Sequence, residues 1–387
     1  MPVTLGIERL LASHRLKGRR IGLVCNPASV DSQLRHIATH CLDDHGLSVG
    51  ALFGPQHGFN SDLQDNMIET PHARDRARGL PIYSLYSETR EPTDAMLAGL
   101  DTLVVDLQDV GTRVYTFIYT MANCLRAAAR VGLPVIVCDR PNPIGGLVID
   151  GPMLAPGFES FVGMYPIPLQ HGMTIGELAR LFNDAFGIGA DLHVEPMDGW
   201  SRDMYFDATG LPWVMPSPNM PTLDTAIVYP GAVLVEGTTL SEGRGTTRPF
   251  EFLGAPWVNE NALARELAAL QLPGVAFRPI RFEPTFQKHA GRSCGGVQIH
   301  VTARGEFGAV LATVAVLAGL KAQAPDNDWW RQPPYEYEYE KMPIDILAGS
   351  SELRDRINAG DAARDIAAAW APGLTAFAAT RAPFLIY

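Results

Sequence analysis

Residues 103–113 read LVVDLQDVGTR, and this stretch restricts the possible folds more than any other. Leu103, Val104 and Val105 form a short run without a polar face, as in a strand buried on both sides of a sheet. Asp106, Gln108, Asp109 and Arg113 follow at once, with Gly111 among them. Such groups are costly to bury unless they are paired or open on a cleft. In open α/β sheets the cleft lies beyond the carboxyl ends of the strands. The stretch is therefore read as the floor of an active site. The plainer alternative is a strand followed by a helix cap and surface charge.

The first half of the chain repeats this pattern. Apolar runs at 20–25, 48–53, 81–85 and 134–138 read as further strands. Segments 5–14, 31–44, 93–100 and 115–131 have helical spacing, the third with Thr93 at its cap. Alternating strands and helices predict a parallel sheet with right-handed crossovers, which brings every strand's carboxyl end to one edge. Polar signals gather at those ends: Asn26, Gln56 and His57, Glu88, residues 106–113, and Asp139 to Asn142. The Rossmann-like layout carries no GxGxxG after its first strand, no GxxxxGK[ST], no HExxH and no GxSxG. A dinucleotide or nucleotide enzyme is thereby disfavoured.

In the second half, residues 174–186 read as a helix opened by a Thr174–Glu177 capping box, with His171 just before it. The loop 213–224 is stiffened by Pro216, Pro218 and Pro221 and holds Asn219. Residues 226–234 look strand-like. The segment 236–251 is the second dense signal. Gly243 and Gly245 permit close approach of backbone to a ligand. Arg244 and Arg248 offer forked donors for a carboxylate or phosphate, although Glu236, Glu242 and Glu251 are also placed to pair with them. A helix at 261–269, strands at 275–281 and 296–302, a helix at 305–320 and two short helices near 351–358 and 361–369 complete a smaller α+β unit. The alternating YEYEYE of 335–340 reads as an edge strand or cleft rim, its aromatics suited to stacking on a sugar. The expected division is 1–230 for a Rossmann-like catalytic domain and 231–387 for the smaller domain, closely packed with a cleft between them.

With 387 residues the chain is long enough for this division. Its net charge of −11 and lack of a Lys/Arg run argue against nucleic acid or an anionic membrane surface as partner. The longest apolar segment, 309–320, is too short to span a bilayer. Five cysteines without a CxxC suit buried thiols in a reducing compartment, and no Cys/His cluster suggests zinc. The N-terminus lacks a signal-peptide core. The sequence as it stands is expected to be cytoplasmic, with export requiring a leader that it does not show.

Five motifs together, VVDLQDVGTRVYTFIYTM, DRPNPIGG, PSPNMPTLDTAIVYPG, EGTTLSEGRGTTRPFEFLGAPW and YEYEYEKMPIDILAG, resemble the bacterial exo-β-N-acetylmuramidases of peptidoglycan recycling. The resemblance spans nearly the whole chain. It implies a Rossmann-like domain, a smaller C-terminal domain, and release of terminal N-acetylmuramic acid, or a related amino sugar, from wall fragments without a cofactor. The expected partner is thus a small carbohydrate or muropeptide. Many members carry Pro-Glu-His-Gly, whose Glu is the implied catalytic acid; here the residues are Pro55-Gln56-His57-Gly58. Gln cannot donate a proton as a general acid. Asp106, Asp109, Glu88 and Glu242 are the candidates to replace it, with Asp109 and Asp106 foremost and His57 assisting. Arg113, Arg244 and Arg248 are expected to hold the substrate's acidic group, with Asn142, His171 and Asn219 as further binding candidates. Gln56 also leaves open a non-catalytic protein that binds amino sugars in the same cleft.

Overall fold

The computed structural model describes residues 2–65, 67–324, 326 and 329–387. Its main sheet contains β1 (Arg20–Val24), β2 (Ser48–Gly54), β3 (Ala73–Arg74), β4 (Pro81–Ser84), β5 (Thr102–Val105) and β6 (Val135–Cys138). After the hairpin β7–β8 (Asp150–Met153 and Pro168–Gln170), β9 (Leu192–Glu195) completes it. The order is β3-β4-β2-β1-β5-β6-β9, parallel except for the edge pair β3–β4. A second, antiparallel sheet comes from β10 (Phe252–Ala255), β11 (Val275–Phe282) and β12 (Cys294–Val301), in the order β10-β12-β11. The α/β class and the two-part architecture agree with the sequence reading.

β5 is buried on both faces, as its composition requires. Leu103 and Val105 join the larger apolar cluster, and Val104 joins a smaller one on the opposite face with Leu10, Ile21, Leu23 and Cys41. The larger cluster continues through Phe117, Ile227 and Val233 to Leu253, Val297 and Phe377. The smaller unit therefore shares a core with the Rossmann-like layer. The helix Phe117–Val131 stops at Gly132, whose φ of 68° ends the turn and lets its N–H reach the Ala128 and Ala129 carbonyls. The Thr174–Glu177 capping box forms as expected. All five cysteines are buried and free. No helix among the described residues is long and apolar enough to cross a membrane.

Three local expectations fail for identifiable reasons. Residues 226–234 are helical: Leu223–Ala232 forms an α-helix, capped by Thr222 accepting from the Thr225 N–H, and Val233–Gly237 continues as a 3-10 turn. A continuous apolar run suits a fully buried helix as well as a buried strand. Helix is absent from the first part of 31–44, residues 31–36, because the Asp31 carboxylate accepts from the Gln33 and Arg35 N–H groups, both at 2.9 Å, and folds that segment into a turn. Helix begins only at Ile37. For YEYEYE the edge-strand alternative fails, since Tyr335 and Glu338 exchange two backbone hydrogen bonds of 2.9 Å around a tight turn, whereas the cleft-rim alternative holds, since residues 335–338 border the pockets described below.

Gly231 lets the helix Leu223–Ala232 cross the helix Ala309–Gln323 at close range, since a Cβ there would lie 1.9 Å from the Ala309 carbonyl oxygen. In an ordinary helix interior, Gly→Ala stabilises by about 1 kcal/mol. Gly231→Ala is expected to do the opposite, lowering stability by about 2 kcal/mol through forced separation of the helices. Urea titration of the two proteins checks the sign.

Candidate active site

The turn after β2 folds back tightly on its strand. A Cβ on Gly54 would approach the Phe59 nitrogen to 2.7 Å, and the Gly58 N–H closes the turn on the Pro55 carbonyl at 3.0 Å. His57 has φ 68° there, so Gln56 and His57 are presented beside the sheet edge. Facing them is a wall from the second unit: Glu236 on the 3-10 turn, Arg244 on the glycine-flanked loop, and Tyr335 and Glu336 on the tight turn. Together with Tyr115, Thr116, Asn219 and Tyr229 these residues line an inner cavity. Its free volume is about 40 Å³. Outside lies a bowl of about 470 Å³ bordered by Arg90, Phe161, Tyr337, Glu69, Glu88 and Glu159. Arg90 lies over the Tyr86 and Tyr337 rings at 4.1 and 4.4 Å.

The wall is held by a chain of buried charges. Lys288 Nζ donates to Glu242 at 2.9 Å, Glu242 faces Arg244 Nε at 3.3 Å, and Arg244 donates to Glu236 at 2.7 Å. The Tyr335 hydroxyl donates to the other Glu236 oxygen at 2.7 Å. Burial raises the cost of ionising Glu236, but Arg244, Tyr335 and Lys288 outweigh it and hold this carboxyl below its usual range. Glu336 has neutral donors instead: Tyr86 Oη at 2.8 Å and Gln56 Nε2 at 3.4 Å. Burial, with the nearby Glu236 charge adding to it, pushes Glu336 up to about 7 against these donors and Arg90. Thr116 Oγ1 donates to Gln56 Oε1 at 2.7 Å, which turns the amide N–H toward Glu336. His57 Nδ1 bonds the Leu63 carbonyl at 2.8 Å, so Nδ1 carries the hydrogen. Burial lowers this imidazole to about 4. At neutral pH its Nε2 is therefore an acceptor.

Several residues expected at the site are engaged elsewhere. Asp106 is fully buried in a two-pronged pair with Arg140, at 2.7 and 2.6 Å. Asp109 accepts from the Gly111 N–H at 2.7 Å and lies 3.3 Å from His171 Nε2, both side chains being buried. Asn142 ties the Met173 carbonyl to the Ile144 N–H. The Arg113 guanidinium is fully buried and donates to the carbonyls of Pro152, Ile167 and Leu347 at 2.8, 3.0 and 2.8 Å. It clasps the hairpin β7–β8 region to the helix Pro343–Ala348 and meets no carboxylate among the described residues. Arg248 lies half-exposed on Glu251 at 3.3 Å. None of these lines the inner cavity; a polar residue after a strand can complete the backbone's hydrogen bonds as readily as it can face a cleft. Glu242 sits one step behind the wall, supporting Arg244. Glu88 borders the bowl, but Ser87 and then His72 hold it low, at about 2, and it stays ionised. Gln56, His57, Asn219 and Arg244 are brought together as anticipated, Asn219 also donating to the Gln64 carbonyl at 2.8 Å.

Comparison with known proteins agrees with this architecture. The family model of the exo-β-N-acetylmuramidase NamZ N-terminal region matches residues 21–224, and that of its C-terminal region matches 227–387. The chain belongs to the NamZ family. It is 46% identical over 387 residues to the peptidoglycan β-N-acetylmuramidase NamZ of Bacillus subtilis strain 168, covering all of this chain and 91% of that one. Two crystal structures of DUF1343 family proteins from Bacteroides fragilis also match over the whole chain and 99% of each relative. Their identities are 34 and 28%, with TM-scores of 0.90 and 0.79.

Two carboxyls of this NamZ-family cavity escaped the sequence reading. Glu236 was legible only as a partner for arginine, which it is. Glu336 was hidden in YEYEYE, whose strict alternation suggested a strand. Its backbone φ is 46° and that of Tyr337 is 67°. Left-handed conformations cost a non-glycine residue roughly 1–2 kcal/mol and occur preferentially at functional sites. The raised Glu336 carboxyl also has a stability consequence. Its favourable contribution is complete below the ordinary value of 4.5 and is lost as pH rises through about 7. Glu336→Gln is therefore expected to gain stability relative to wild type between pH 5 and pH 8, by up to about 3 kcal/mol. Urea titrations at the two pH values measure it; a gap independent of pH would contradict the assignment.

Proposed function

We propose that this protein is a glycoside hydrolase that releases N-acetylmuramic acid from the non-reducing end of peptidoglycan fragments. One observation carries the reading: Glu236 and Glu336 line one cavity with their protonation pushed in opposite directions. Such a pair supplies an acid and a charged carboxylate at the same pH, and glycoside hydrolysis uses two carboxyl groups. Family membership supports the choice of sugar. The Rossmann-like residues 1–230 and the smaller unit 231–387 supply opposite walls of the site.

Arg244 is the one of the three expected arginines that lines the cavity, and it is the group offered to the lactyl carboxylate of muramic acid. Its partners Glu236 and Glu242 fix the fork in place, which limits how far it can turn. The substrate's charge would be received by a guanidinium already balanced by acids, so recognition depends on geometry more than on net charge.

The test is incubation of the full chain with an N-acetylmuramyl–N-acetylglucosamine disaccharide and detection of free N-acetylmuramic acid by mass spectrometry. Release is expected, with no comparable release of N-acetylglucosamine from a fragment ending in that sugar. Arg244→Lys is expected to lower kcat/KM by about tenfold or more, because an ammonium cannot keep the fork between Glu236 and Glu242. Measurable binding without turnover would favour the sugar-binding reading that Gln56 raises.

A further inference from the structure

We propose that Glu336 is the proton donor to the departing glycosidic oxygen, and that Gln56 and Tyr86 orient its carboxyl for that step. The proposal rests on the glycosidase reading above and assigns the acid that a glutamine at position 56 cannot supply.

Position is the first argument. Among the described residues, Glu336 is the one that lines both the inner cavity and the outer bowl. An enzyme that removes a terminal sugar must hold that sugar inside and the remaining fragment outside. The bond to be broken crosses the boundary between the two spaces, where Glu336 stands.

The hydrogen bonds are the second argument. Tyr86 Oη meets one Glu336 oxygen at 2.8 Å and Gln56 Nε2 meets the other at 3.4 Å. Both partners are neutral, so neither holds the carboxyl ionised as a cation would. The charged and titratable groups around it are Glu236, Arg90, Tyr86, Tyr229, Tyr335 and Tyr337, while Arg244 is engaged by Glu236 and Glu242. Arg90 is directed over the Tyr86 and Tyr337 rings. Burial is the leading cause of the high Glu336 value, about 7, and the Glu236 charge adds to it. The protonated acid and the ionised Glu236 are thus available together near neutrality.

The third argument is the backbone. Glu336 and Tyr337 both hold positive φ in a turn closed by reciprocal Tyr335–Glu338 bonds. That conformation inserts the Glu336 side chain between the sheet edge and the second unit instead of alternating it outward.

In the proposed step, the Glu336 proton passes to the glycosidic oxygen while the C1–O bond breaks and its electron pair stays on that oxygen. The outer fragment leaves as an alcohol. Positive charge developing at C1 is stabilised by the Glu236 carboxylate. Water then adds at C1 and gives up a proton, and Glu336 is reprotonated, so the sum is glycoside plus water giving two sugars.

The experiment compares wild type with Glu336→Gln on two substrates, the N-acetylmuramyl–N-acetylglucosamine disaccharide and dinitrophenyl N-acetylmuramide, whose leaving group needs no proton. The expected loss is about 100-fold or more on the disaccharide, in line with general acid catalysis. On the dinitrophenyl glycoside the rate of dinitrophenol release is retained. The alkaline limb of kcat/KM near pH 7, present in wild type on the disaccharide, moves upward in Tyr86→Phe, which keeps the carboxyl but removes a donor to its ionised form. Circular dichroism establishes that both variants are folded. Equal losses on the two substrates in folded Glu336→Gln, undiminished disaccharide turnover, or an alkaline limb unmoved in Tyr86→Phe would each overturn the proposal while leaving the hydrolase reading intact. A wild-type protein inactive on both substrates would overturn both.

Discussion

The buried chain from Lys288 through Glu242 and Arg244 to Glu236 is the interaction on which the cavity depends. Two cations and two carboxylates alternate, so each charge removed from water meets an opposite one. Leaving any one of them unpaired would be severe, because breaking a buried pair typically costs about 3–5 kcal/mol. The same chain sets the chemistry. It keeps Glu236 charged, and that charge helps keep the adjoining Glu336 protonated.

The two units divide the work. The parallel sheet brings the turn after β2 to its carboxyl edge, with Tyr86 just beyond β4 and Thr116 at the start of the helix Phe117–Val131. These supply the neutral groups around Glu336. The smaller unit contributes the ionisable wall, from Glu236 and Arg244 to Glu336. Arg113 joins the units through three carbonyl contacts, a task its sequence context did not distinguish from binding a substrate anion. A guanidinium offers several donors in a fixed fork, and where carbonyl oxygens converge on it no ligand is needed.

Polar residues at strand ends mark the edge of the sheet where the cavity lies, but they reach that cavity unevenly. Gln56 and His57 reach the cavity. Asp106 and Asp109, which lie in the most conspicuous stretch, are absorbed by Arg140 and by Gly111 and His171. Their side chains support the loops beneath the site. The run 226–234 was misread because apolar content reports burial and not backbone geometry. Glu336 was missed because an alternating pattern describes a strand only when the backbone stays extended, and here two residues adopt positive φ.

Sequence alone determined the features that act over a few residues or repeat along the chain. These are the alternating strands and helices, the Thr174–Glu177 cap, the doubly buried β5 and the glycine-flanked arginine loop. Tertiary structure decided which polar groups meet. Glu336 bonds to Gln56 across 280 positions and to Tyr86 across 250. Local propensity carries no information about such pairings. They arise when a shared core brings the units together, and burial then sets which carboxyl holds its proton.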